Sequence, residues 1–198
     1  MLEPSLVRLP AGTRLHRIYR RGGDFPTLWN AFRHFGPTAA RFDHQEPDAR
    51  GRGRIQTRGI LYAATDIPTA LAEVFQARRS INRALDAPWL VSAELATELV
   101  LLDLTDTYPL KAGGSMKLAS GPTVYAQAWS RGFYEVYTEI AGLLYPSSLA
   151  NRPVVALYER AVKTGPFSAP PRFHRALSDA LLLEPMRNVA REIGYDLV

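Results

Sequence analysis

Apolar residues along this chain gather into short runs of two kinds. "GILYAA" (59–64), "WLVSAEL" (89–95), "ELVLLDL" (98–104), "GLLYPSS" (142–148) and "PVVALYE" (153–159) are nearly continuous, and turn-forming residues bound most of them. That pattern predicts buried strands, with the second and third meeting near Ala96-Thr97. "TRLHRIYR" (13–20), after the turn-like Pro10-Ala11-Gly12, predicts a shorter one. Ile67, Ala70, Leu71, Val74 and Phe75 recur instead at helical spacing, behind Asp66 as N-cap and Pro68 in the first turn. The apolar face of this helix centres near Ile67 and Val74. Glu73 falls outside it, between Ala70 and Ala77.

Elsewhere the pattern is weaker. Residues 21–58 are rich in Gly, Pro and Arg with interspersed aromatics, which predicts long loops and one short helix near Leu28 to His34. A glycine-rich loop, "KAGGSMKLASGP", precedes a helix expected from Thr123 to Ala141 with a break around Gly132. Past Thr164 an extended "GPFSAPPRF" leads to an expected helix in "HRALSDALLLEPM", and "RNVAREIGYDLV" suggests another. Strands and helices mix without regular βαβ alternation, so the expectation is a single α+β domain over 1–198, a mixed sheet with surrounding helices.

Composition narrows the chemistry. The net charge is +5 with a sequence pI of about 9.7, and the excess is almost wholly arginine, which suits an anionic ligand, an acidic partner or nucleic acid. Much of it sits in "ARFDHQEPDARGRGRIQTRG". With no cysteine, disulfides, thiolate metal sites and thiol nucleophiles are excluded. No apolar run is long enough for a membrane span, and "MLEPSLVRLPAG" lacks the features of a signal peptide, so a cytoplasmic location is expected.

Common scaffolds of catalysis are missing. There is no G-x-G-x-x-G after a strand, no P-loop and no G-x-S-x-G, and the four histidines lack zinc-like spacing. What remains is a set of polar residues in apolar settings: Arg17 in a strand, Arg41 after the aromatic loop, Tyr62 in "LYAA", Glu73 on its helix and Ser147 at a strand end.

Taken with "HRIYR", "ARFD", "GILYAATDIPTALAEVF", "YAQAW" and "GLLYPSS…NRPVVALYE", this set resembles the RES-domain family, named for an arginine, a glutamate and a serine. Here those residues are Arg41, Glu73 and Ser147, with Arg17 as a second arginine. The resemblance covers Arg14 to Glu159 and leaves 165–198 as an expected helical extension. One departure stands out: many members carry Gly-Arg-Trp-Asn where this chain has Ala40-Arg41-Phe42-Asp43. The resemblance implies a fold akin to ADP-ribosyltransferases and an activity that breaks down NAD⁺ as substrate rather than cofactor. It also implies a toxin held by a helix-turn-helix antitoxin, in a complex that can be oligomeric.

The residue types suit that implied chemistry. Cleavage of the nicotinamide–ribose bond passes through an oxocarbenium-like state that a carboxylate such as Glu73 stabilises. Arg17 and Arg41 are expected to grip phosphates, and Tyr62 and Ser147 to shape the nicotinamide–ribose pocket. Each also has an ordinary role: Glu73 as a solvated helix residue, Arg17 in an ion pair, Arg41 paired with Asp43, Tyr62 in the core and Ser147 in a turn. A nucleic-acid-binding module using the arginines of 41–58, or ADP-ribosyl transfer to a protein, are the alternatives.

Overall fold

The computed structural model describes residues 3–114 and 117–198; Ser115 and Met116 of the glycine-rich loop lie outside them. Among the described residues there are eleven strands: β1 (Leu6–Leu9), β2 (Arg14–Arg20), β3 (Arg33–Gly36), β4 (Arg54–Ala64), β5 (Ser80–Ile81), β6 (Pro88–Glu94), β7 (Leu99–Asp103), β8 (Gly142–Pro146), β9 (Pro153–Tyr158), β10 (Phe173–Ala176) and β11 (Asp196–Leu197). The helices are α1 (Ile67–Phe75), α2 (Tyr108–Lys111), α3 (Lys117–Ser120), α4 (Thr123–Val136) and α5 (Leu183–Ile193). No helix among the described residues is long and apolar enough to cross a membrane.

Nine strands form one mixed sheet in the order β1-β7-β8-β9-β4-β2-β6-β10, with β3 joined to β4. Every pairing in it is antiparallel except β7 with β8. Parallel neighbours need a long crossover, and the segment bearing α2, α3 and α4 supplies it. The fold class is α+β, as the mixed pattern predicted.

The strands are nearly continuous in apolar residues because both faces of the sheet are covered. Ile60, Ala64, Leu143, Tyr145, Val154, Ala156 and Tyr158 face one core, which α1, α4 and α5 close. Their neighbours Leu61, Ala63, Leu144, Val155 and Leu157 face a second, closed by Phe32, Phe167 and Ala161.

Strand β4 sets up the cleft. One edge pairs with β9 from Ile60 to Ala64. The other is divided: β3 takes Arg54 to Ile60, and β2 touches it through His16↔Ala64 alone. The sheet therefore parts beside Tyr62.

Several local expectations give way to tertiary pairing. The helix near Leu28–His34 is absent; Arg33–Gly36 is strand, because β4 offers a partner edge to Arg33, Phe35 and Gly36. Helix α4 runs unbroken through Gly132 and ends at Val136, not Ala141. A Cβ at Gly132 would meet nothing within 4 Å, so this glycine faces open space and costs helix propensity without breaking the ladder. "HRALSDALLLEPM" is not one helix: Phe173–Ala176 pairs with β6, and α5 starts at Leu183. The C-terminal segment thus contributes a strand to the main sheet as well as a helix. Gly194, at φ +67°, ends α5, and Asp196–Leu197 then pairs with β5.

Helix α1 is built as the sequence predicts at its start. Asp66 accepts from the backbone N–H of Thr69 at 2.8 Å and from its hydroxyl at 2.9 Å. Its buried face differs. Thr69, Ala70, Leu71, Ala72 and Phe75 are buried, while Val74 is 37% exposed. The cause is α5, which packs against α1 and draws its buried side round, so that Val74 turns toward the cleft with Glu73. Replacing Asp66 by Ala removes the cap. We expect a loss of about 1 kcal/mol, seen as a thermal midpoint lower by roughly 2–4 °C for a domain of this size.

Candidate active site

A cleft of about 820 Å³ opens where the sheet parts, between β2, β3, β4, α1 and the loop 38–41. Arg17, Arg41, Tyr62 and Glu73 line it; Ser147 does not, but its neighbour Ser148 does. All five expected site residues lie at or directly behind this one cleft.

Glu73 is half-buried on the cleft side of α1. Ser147, only 3% exposed, donates its hydroxyl to Glu73 Oε1 at 2.6 Å. The same serine oxygen accepts the backbone N–H groups of Leu149 and Ala150 at 3.1 and 3.2 Å. Ser147 therefore both builds the turn after β8 and fixes the carboxylate across the cleft floor; its two roles are one geometry. A hydroxyl with two donors already pointed at its oxygen has its own proton free for Glu73.

Arg41 donates through Nη1 to the Gly121 carbonyl at 2.7 Å. Its loop is tied down by Gln127, whose amide donates to the carbonyls of Thr38 and Ala40 at 2.7 and 3.0 Å, and by Ser130, which donates to the Phe42 carbonyl at 2.7 Å. Arg17 donates through Nη1 to the carbonyls of Trp29 and Ala31 at 2.7 and 3.0 Å, latching the loop before β3 onto β2. Burial, above all, lowers its pKa to about 10, which leaves it charged at neutral pH. Neither arginine is ion-paired with a carboxylate among the described residues. In particular, Arg41 is not paired with Asp43.

Asp43 is the residue that sequence reasoning passed over. It is fully buried and accepts four hydrogen bonds: Arg33 Nη2 at 2.6 Å, the Tyr62 hydroxyl at 2.8 Å, and the Thr38 N–H and hydroxyl at 2.6 and 2.8 Å. Four donors, one of them cationic, compensate a buried carboxylate. One signal was visible: "DHQ" follows Arg41-Phe42 in a stretch with no periodicity, and all three of those polar side chains are fully buried. Burial, then the Asp43 charge, hold the Tyr62 phenol well above its usual pKa. With its hydroxyl spent on Asp43, Tyr62 presents its ring to the cleft.

Behind this loop buried His44 and partly exposed Glu159 form a second network. Glu159 accepts from His44 Nε2 at 3.2 Å, the Tyr134 hydroxyl at 2.5 Å and the Gly59 N–H at 2.9 Å. Burial raises its pKa, but these hydrogen bonds outweigh burial and pull it down to about 2. His44 is held below its ordinary 6.5, chiefly by burial, with Nδ1 unpartnered. A neutral imidazole bearing its proton on Nε2 fits both observations. Within the arginine-rich run Arg52 pairs with Asp48 at 3.0 Å and Arg58 with Glu46 at 3.1 Å and with Glu135, while Arg50 and Arg54 have no ion pair among the described residues.

The RES-domain family model matches residues 14–178, and the chain belongs to this family. The match runs past Glu159, where the sequence resemblance stops, and takes in β10. Among solved structures, the M. tuberculosis MbcT–MbcA toxin–antitoxin complex contains a chain of the same fold, with a TM-score of 0.58 and 18% identity over 89% of this chain and 90% of that one. No curated protein matches the chain.

Two expectations follow. Asp43→Ala leaves the Arg33 guanidinium, the Tyr62 hydroxyl and the Thr38 N–H without their acceptor, and should cost about 3–5 kcal/mol in urea unfolding. Stability should also fall with acid in two stages. His44 stays neutral in the folded state, so stability is lost as pH falls below 6.5, where the unfolded chain takes up the proton. Glu159 adds stability that is complete above its ordinary 4.5 and lost as pH falls toward about 2. Asp48, Glu94 and Asp179 are also held below their ordinary values, so Glu159→Gln should make the second stage shallower rather than abolish it, as read from unfolding midpoints between pH 7 and 2.

Proposed function

We propose that this protein is the toxin of a toxin–antitoxin pair and acts by cleaving NAD⁺ at the nicotinamide–ribose bond. The observation that carries the reading is Glu73: a cleft-facing carboxylate held by the Ser147 hydroxyl at 2.6 Å, in the same cleft as Arg17 and Arg41. Family membership and the likeness to the MbcT–MbcA complex support it.

In this reading Arg17 and Arg41 take the pyrophosphate, and the Tyr62 ring packs on the pyridinium. Glu73 accepts from the ribose hydroxyls and faces the positive charge that grows at the anomeric carbon. The C–N bond breaks with its electron pair going to the ring nitrogen, so nicotinamide leaves neutral and needs no general acid. Water or phosphate adds through oxygen to the oxocarbenium-like carbon. A water nucleophile releases one proton, giving ADP-ribose; phosphate gives ADP-ribose 1″-phosphate. Ser147 is a positioning residue, since it reaches the substrate only through Glu73. A helix-turn-helix antitoxin would hold the toxin inactive until NAD⁺ loss is required.

Purified protein incubated with NAD⁺, with and without phosphate, should release nicotinamide, and chromatography of the second product identifies the acceptor. Intact NAD⁺ in both incubations defeats the reading. Glu73→Gln keeps size and hydrogen-bonding reach but removes the charge, and should lower turnover about 10²–10³-fold. Its thermal midpoint should stay within about 0.5 kcal/mol of the parent in stability. Arg41→Lys should weaken NAD⁺ use strongly despite the retained charge, because an ammonium cannot reproduce paired guanidinium–phosphate bonds.

A further inference from the structure

Tyr145 has no place in the reading so far, yet it is a buried phenol in the cleft wall. It is the fourth residue of β8, two positions before Ser147, and only 6% exposed. Its ring packs against Phe42 with centroids 4.4 Å apart. It lines the same cleft as Glu73, Arg41 and Tyr62. The charges of Glu73, Arg41 and Asp43 all act on its phenol.

Buried phenols usually find a hydrogen-bond partner. Those of this protein do: Tyr62 bonds Asp43, Tyr134 bonds Glu159, Tyr108 bonds Tyr137 and Tyr158 bonds Ser130. The Tyr145 hydroxyl has no partner among the described residues, and it is not sealed from the cleft either. Burial, and then the Glu73 charge, keep the phenol protonated throughout the neutral range. It is a donor by protonation state, aimed at a cleft, with nothing from the protein to donate to.

We infer that the Tyr145 hydroxyl binds the carboxamide oxygen of the nicotinamide ring. This rests on the NAD⁺ reading and assigns one group that reading leaves unmatched. At this end of a dinucleotide the ribose hydroxyls donate to a carboxylate, and Glu73 supplies one. Phosphate oxygens call for guanidinium groups, and Arg17 and Arg41 supply them. The carboxamide carbonyl is an acceptor and requires a neutral donor that will not compete with Glu73 for the ribose. Tyr62 cannot serve, because its proton already goes to Asp43 at 2.8 Å. Tyr145 is the remaining cleft phenol.

Tyr145→Phe tests this with little risk to the fold, since the ring on Phe42 is kept and the deleted hydroxyl bonds no other group among the described residues. Turnover would be measured for parent and variant on NAD⁺ and on the analogue in which hydrogen replaces the carboxamide, together with thermal midpoints. The variant should lose roughly tenfold in kcat/KM on NAD⁺, keep its midpoint, and match the parent on the analogue. Equal activity of variant and parent on NAD⁺ overturns the inference and leaves the NAD⁺ reading standing. So does a similar loss on both substrates, which would mean that the hydroxyl serves something other than the carboxamide. Lost activity with a lowered midpoint makes Tyr145 structural and also overturns it. A parent that leaves NAD⁺ intact overturns the NAD⁺ reading, and the inference with it.

Discussion

Strand β4 has one free edge and two claimants for it. β3 takes the first part, through Gly36↔Arg54 to Arg33↔Ile60, and β2 reaches only Ala64. Two strands cannot occupy one edge at the same height, so they diverge where their claims meet. The remaining features of the site answer that divergence. Tyr62 sits on the stretch between the two claims, α1 leaves the end of β4 and folds back over the gap, and residues 37–45 return beneath it. The cleft is thus a defect in strand pairing that the rest of the chain lines rather than fills.

A gap of this kind exposes backbone and polar side chains that must be satisfied. Asp43 does much of that work from inside. It joins Arg33 of β3 and Tyr62 of β4 to Thr38 of the returning loop, so one buried anion ties that loop to two strands of the sheet. Comparing it with Glu73 clarifies both. Asp43 is wholly buried and has four donors; Glu73 is half-exposed and has the Ser147 hydroxyl. A carboxylate with four donors is committed to the fold, while one with a single donor keeps lone pairs for a ligand. The number of protons already aimed at each separates a buried structural acid from one that lines the cleft with lone pairs to offer.

The sequence revealed the elements whose own residue pattern carries the signal. Asp66 and Pro68 marked the start of α1, and the apolar runs located β4, β6, β7, β8 and β9. Where a distant partner decides the outcome, local pattern failed. Leu28 to His34 suited a helix, but β4 offered an edge to Arg33–Gly36, and Phe173–Ala176 became strand because β6 had one. "WLVSAEL" and "ELVLLDL" were both found as strands, yet they lie apart in the sheet, which no periodicity could disclose. The helical wheel placed Glu73 correctly off the core but misjudged Val74, since α5 covers α1 from a side that the sequence of α1 does not reveal. Arg17, Arg41, Tyr62, Glu73 and Ser147 were gathered by family resemblance, and their meeting at one cleft follows from β4, α1 and β8. Asp43 and Tyr145 escaped because their importance is a matter of partners, many for one and none for the other.

Glu73 is held from two independent directions, and this bears on how such a site tolerates change. The cap at Asp66 fixes the start of the helix that carries it, and Ser147 reaches it from β8 across the cleft. The two supports share no residue. Loosening the cap lets α1 fray while Ser147 still grips the carboxylate; removing the serine hydroxyl leaves the helix in place but the carboxylate free to turn toward water. Damage of the first kind should be felt in stability, and of the second in chemistry. A site divided in this way can accumulate changes in the helix and loops around it, and the proposed function is most sensitive at the Ser147–Glu73 contact, where the support meets the carboxylate.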